Sequence, residues 1–473
     1  MMSILGLRAD ESYNVNRSAD FTSTDRLLFI EEKCLDLRAA LYYYNVAYAY
    51  SVDFFVFNAA LVISFVIGFA RLYMNPNYKK TTYACFIGYI VQAIVNNFVP
   101  LLFVTFQSSY GIPLSRITLL ITINFLIQLF IDMLSAGFID RIGYRASVIL
   151  AHVCSAVGLV SLTVLPELLP DAYVGIFISV MVYAVGGGLI EVLISPIIEA
   201  CPSDNKEKAM SLLHSFYCWG HVGVVLLSTA FFAAFGIENW RYLTLLWAGI
   251  PVLNIILFSR APICSLTDDG TIGCGLLALF RMPIFWLLML MMLCAGASEQ
   301  AVSQWASTFA EKGLGVSKTV GDLAGPMAFA LLMGLSRLIY GRCGERFPLE
   351  RFMKLSTVLC LAAYLVIVLI PSPVAGLLGC AVCGFSVGIL WPGTYSKAAV
   401  TIPCGGTALF AMLAFAGDVG CAGGPTLAGF VSGAFGGNLR AGILSAIVFP
   451  ALMLVGLLVF GQVCRRNVPN KNK

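Results

Sequence analysis

The chain has 473 residues, 59% hydrophobic and only 11% charged, with a formal net charge of +4. A water-soluble domain carries about 25% charged residues, so too little polar side chain is present to cover an aqueous surface. That excludes a soluble globular protein, and the small net charge gives no reason to expect a nucleic-acid partner.

Apolar runs of about 20 residues recur, the length that crosses a ~30 Å hydrocarbon core at 1.5 Å per residue. Inside lipid only helices and closed barrels satisfy the backbone, and no strand-like alternation over ten residues is visible. The expected fold is therefore an all-α membrane protein.

In chain order, residues 1–50 are polar and acidic-leaning, so no cleavable signal peptide is expected. An apolar run from Phe54 to Tyr73 follows, with Asp53 at its edge. Two readings stay open. The run is a thirteenth helix that places the N-terminus outside, or the natural start is Met74 and the upstream stretch is an over-long beginning. Twelve spans come next, at about 81–106, 114–138, 146–165, 172–199, 207–235, 241–259, 283–309, 319–341, 352–371, 373–397, 404–432 and 439–461. Short connections such as Pro166 to Asp171, Pro371-Ser-Pro373 and Gly436-Gly-Asn438 separate them. The expected organisation is an N-terminal extension over 1–77, a six-helix bundle over 78–260, a cytoplasmic linker over 261–282, a second bundle over 283–462 and a tail over 463–473.

Basic residues orient this map. With the first span leaving the cytoplasm, 18 of the 29 Lys and Arg fall on the inner side and five on the outer, from Arg116 to Arg440. The positive-inside rule then puts both ends of the twelve-helix unit in the cytoplasm and the protein in the cell membrane.

Nearly all of the 15 cysteines sit in apolar runs, among them Cys154, Cys218, Cys294 and Cys421. The one CxxC, Cys380-Ala-Val-Cys383, has no His or second pair nearby, so packing is expected rather than metal binding or a disulfide framework. His152, His214 and His221 form no HExxH, and no Walker-type motif occurs. No enzyme activity and no cofactor are expected, and energy must come from gradients or from the substrate itself.

The two halves echo each other. Ala136-Gly-Phe-Ile-Asp140-Arg141-Ile-Gly143-Tyr-Arg145 ends the second span, and Gly341-Arg-Cys-Gly-Glu345-Arg346 ends the eighth. A 200-residue shift sets Leu213, Cys218, Gly220 and Gly223 over Leu413, Asp418, Gly420 and Gly423, and Glu191 over Trp391. Asp140-Arg141-x-Gly143-x-Arg145 resembles the signature loop of the major facilitator superfamily, repeated at Glu345-Arg346. Ala136 stands where that loop opens with glycine, and Tyr144 replaces one basic residue. The resemblance covers about 78 to 462. Glu299 and Trp305, Trp391-Pro392, and Gly417-Asp418-x-Gly420 with Gly424-Pro425 are similar to the fucose-permease-like branch.

The resemblance implies twelve helices in two pseudo-symmetric bundles that rock about a midplane site. It also implies a gating role for Asp140, Arg141, Gly143, Arg145, Glu345 and Arg346, and a sugar-like solute. Ionisable residues inside spans cost several kcal/mol in lipid unless paired or hydrated. Asp132 lies eight residues before Asp140, about 12 Å into the membrane, and Arg337 lies eight before Glu345. With Glu191 and His214 they are expected to form one polar layer, and Glu191 is the best proton carrier. Asp418, flanked by glycines, is a further candidate for proton or cation coupling. Side chains suited to hydrogen-bond or stack on a solute are Asn96, Asn97, Gln128, Trp219, Glu299, Gln304, Trp305 and Trp391. The reading is a monomeric carrier whose partners are the bilayer, a small solute and protons. Proton-driven efflux of lipophilic compounds and a non-transporting receptor or scaffold are the alternatives.

Overall fold

In a computed structural model the described residues are 78–264, 274–314, 318–436 and 438–466. The expectations for the signal peptide and for a thirteenth helix fall outside them. Helix α1 (Lys79–Asn97) stops where Pro100 has no N–H to continue the ladder, and a 3₁₀ turn (Val99–Leu102) leads into α2 (Phe103–Tyr110). The expected first span is thus a broken helix. Next come α3 (Leu114–Ile142), α4 (Tyr144–Leu168), α5 (Ala172–Ala200), α6 (Lys206–Phe235) and α7 (Trp240–Arg260). Asp171 and Asn205 cap α5 and α6 by accepting from backbone N–H groups of their first turns. Gly143 joins α3 to α4 at φ +89, left-handed backbone that a side chain would strain.

After the short α8 (Leu276–Phe280), the second half holds α9 (Pro283–Leu314), α10 (Lys318–Cys343) and α11 (Leu349–Leu369). It continues with α12 (Pro373–Val387), α13 (Leu390–Thr401), α14 (Gly406–Ala434), α15 (Leu439–Ala446) and α16 (Val448–Arg466). The expected tenth span is split between α12 and α13. Pro392 cannot donate to the Gly388 carbonyl four residues earlier, and the ladder breaks there.

Among the described residues, 11 helices are long and apolar enough to cross a membrane. The twelfth, α10, has the length, 26 residues, but carries Lys318, Asp322, Arg337 and Arg342. Leu126, Phe130, Leu246, Leu253, Leu355 and Phe430 are each more than half exposed on the outside. An apolar surface of that extent belongs in lipid.

In the first bundle α4 packs on α5 and α7, and α1 on α6; in the second, α9 packs on α14 and α11 on α12. Small residues set the closest approach. A Cβ on Gly420 would run into the Leu293 carbonyl oxygen, and one on Gly424 into that of Ala297. These glycines let two backbones touch, as membrane interfaces require. The bundles meet where α3 packs on α14, and α6 on α10 and α13.

Candidate functional site

Arg337 lies at the seam between the bundles and is 3% exposed. Its Nε donates to the Gly388 carbonyl at 2.7 Å, the oxygen that Pro392 leaves free. Its terminal nitrogens reach the His214 carbonyl at 2.9 Å, the Cys218 sulfur at 3.1 Å and the Glu299 carboxylate at 3.7 Å. Sequence placed Arg337 in a layer with Asp132, Glu191 and His214, and the structure divides that layer differently. Arg337 pairs with Glu299, and only the backbone of His214 takes part. The His214 ring faces Tyr89 and Ser195, with Nε2 at 3.3 Å and 3.2 Å from their hydroxyls.

Asp132 is fully buried, and no donor reaches either of its oxygens. Its carboxyl lies within hydrogen-bonding reach of the Asp418 carboxyl on α14, with Glu191 close enough to repel both. Glu191, half-buried on α5, accepts from the Gln92 amide at 2.6 Å. This part of the interior therefore holds four carboxyls, Asp132, Glu191, Glu299 and Asp418, beside one guanidinium. Removing a carboxylate from water costs several kcal/mol unless a partner offsets it, so such a layer calls for added positive charge.

Amides and aromatic rings surround the acids. The Asn96 side-chain oxygen accepts from Gln128 at 2.8 Å and from Asn124 at 3.3 Å. The Tyr217 hydroxyl lies beside the Asn96 and Asn97 amides. Asn96, Asn97, Tyr217 and Glu299 are partly exposed, whereas Gln128 is buried, supporting Asn96 from behind. Trp391 lays its ring on the Gly417 backbone beside Asp418, and Trp219 packs its ring against Gly334 of α10. Gln304 is exposed and makes none of these contacts, and the Trp305 side chain lies outside the described residues.

Beyond this layer, polar contacts between the bundles are confined, among the described residues, to the end where the linker crosses. Lys208 bonds Glu345 at 2.5 Å, Tyr340 donates to Glu207 at 2.9 Å, and Tyr144 shares a short hydrogen bond with Thr407. The Lys208 ammonium holds the Glu345 carboxyl below its ordinary range. At the opposite end, Arg241 with Glu167 and Arg116 with Asp171 both stay inside the first bundle.

Of the loop residues, Gly143 supplies the turn and Arg145 donates to the carbonyls of Phe258, Ser259 and Ala261, at 2.7, 2.9 and 2.8 Å. This satisfies acceptors left over at the end of α7. Arg141 and Arg346 are exposed, and the Asp140 side chain lies outside the described residues. Sequence reading passed over Gln92, Tyr89, Ser195 and Tyr217. One signal was available: Gln92 precedes Asn96 by four, and Tyr217 follows His214 by three, so each shares a helix face with a residue singled out.

Solved structures with this fold include FucP, the fucose:proton symporter of E. coli, at TM-score 0.68 and 15% identity over 81% of this chain and 99% of that one. FucP in its outward conformation gives 0.70, again at 15% identity and the same coverage. The proton:xylose symporter XylE gives 0.68 at 14% identity over 84% of this chain and 97% of that one. No curated protein sequence matches. The profile of the Major Facilitator Superfamily matches residues 85–425, and the chain belongs to that family of membrane transporters.

Proposed function

We propose that this protein takes up a small polar solute such as a sugar together with protons, by alternating access. The observation that carries this reading is the interior layer of four carboxyls, one of them fully buried, with a single guanidinium. Such a layer is stable in lipid only when protons or a cation neutralise it. Glu191 is the carrier in this reading: half-buried, it accepts from Gln92, which lies one helical turn before Asn96 on α1. Asn96, Asn97 and Tyr217 offer donors and acceptors suited to hydroxyls, and Trp391 offers a stacking face. The printed names of FucP and XylE, both sugar:proton symporters, support the same direction. In this reading 78–260 and 283–462 are the moving halves, joined by 261–282, with the linker end in the cytoplasm. The arrangement is then the outward-facing one, closed below by Lys208–Glu345.

The test is uptake of a labelled sugar panel into proteoliposomes with and without an imposed pH gradient. Accumulation should follow the gradient, and Glu191→Gln should abolish it while exchange persists. Uptake indifferent to the gradient would refute coupling, and full accumulation by the variant would refute the role of Glu191.

A further inference from the structure

We infer that Asp132 and Asp418 hold one proton between them, and that this shared proton fastens α3 of the first bundle to α14 of the second. The inference rests on the proton-coupled reading and adds a second proton site to it, separate from Glu191.

The geometry leaves few alternatives. Asp132 is fully buried, and neither of its oxygens has a donor within reach. The polar group that faces it is another carboxyl, from a helix 286 positions later in the chain. Two bare carboxylates so placed repel, whereas one proton between them gives an O–H···O bond and a single shared negative charge. The other groups facing the pair do not replace that proton. Glu191 from α5 adds negative charge and takes its own donor from Gln92. Tyr395 from α13 is close, but its hydroxyl points to the Phe410 carbonyl at 3.5 Å. Arg337 from α10 is engaged by Glu299 and two carbonyls.

Position turns this proton into a device. Glu191 bonds within its own bundle, but Asp132 and Asp418 sit on opposite sides of the seam, in the half of the molecule where the bundles touch. Opening the linker end must pull the two carboxyls apart. The proton then passes to water entering on that side, leaving two carboxylates that repel each other until a proton bridges them again. Asp418 is half-buried where Asp132 is sealed, so the proton enters and leaves through Asp418.

The test uses the full chain in lipid nanodiscs and reads the infrared carbonyl stretch of protonated carboxylic acid at neutral pH. One band should disappear in Asp132→Asn, the same band should disappear in Asp418→Asn, and the double variant should lose no more. Glu191→Gln should leave that band in place. Two separate bands lost additively, or no band sensitive to either substitution, would overturn the shared proton. A second measurement guards against a misfolded variant: spin-label distances between the linker ends of α3 and α14 at acid and alkaline pH. Wild type should widen as the pH rises, and Asp132→Asn should stay closed, because its amide donates to Asp418 without titrating. Equal widening in both would overturn the fastening. Uptake that ignores a pH gradient while the shared band persists would sink the coupling proposal and leave this one standing.

Discussion

Arg337 gathers acceptors from two helices and from the break between α12 and α13, and a guanidinium is the only side chain whose fixed fork reaches them together. A lysine there presents one compact charge, so the Gly388 and His214 carbonyls and Glu299 cannot all be served. Arg337→Lys should lower stability by about 1–3 kcal/mol, the cost of buried acceptors left bare, read as thermal unfolding in detergent. Lys208 and Glu345 make a weaker statement, because Glu345 is exposed. Lys208 holds the Glu345 carboxyl below 4.5, so the bond contributes at any pH above that value and is lost as acid passes through the lowered one. Glu345→Gln should therefore unfold slightly earlier than wild type at neutral pH, with the difference vanishing in strong acid.

Proline and glycine decide the contacts between elements. Pro392 breaks α12 from α13 and frees the carbonyl that Arg337 occupies. In Pro392→Ala the helix can close on Gly388, so the variant should keep its fold but loosen Arg337, seen as raised hydrogen exchange in α10. Gly420→Ala pushes a methyl against the Leu293 carbonyl. It should cost about 1–3 kcal/mol of stability, as overpacking does, measured by the same unfolding assay. The spans are legible in sequence because hydropathy acts locally, whereas the breaks near Pro100 and Pro392 fall inside stretches whose hydropathy reads as continuous. The partners were not legible either. Nothing near Pro392 says that a side chain 55 positions earlier will fill the gap, and nothing near Asp132 points to Asp418. Such pairings are set by how the bundles dock, a property of surfaces brought together from distant parts of the chain.

At the scale of the whole molecule, orientation is the first thing to test. Cys404 is exposed at the linker end, on the turn that leads into α14. A membrane-impermeant thiol reagent should modify it in inverted vesicles and spare it in intact cells, as judged by mass spectrometry of its peptide. Modification in intact cells would reverse the assigned topology.

Arg145 and Thr81 grip the chain on either side of the α7 exit, at Ala261 and Pro262. A dozen residues later the Cys274 N–H is tied to the Cys404 carbonyl at 2.7 Å, on the other bundle. Between those two moorings the cord can never be drawn longer than about 40 Å, at 3.3–3.6 Å per residue. Its length thus caps how far the halves can part, so trimming it should stall the swing at a shorter stroke without disturbing any residue that handles cargo.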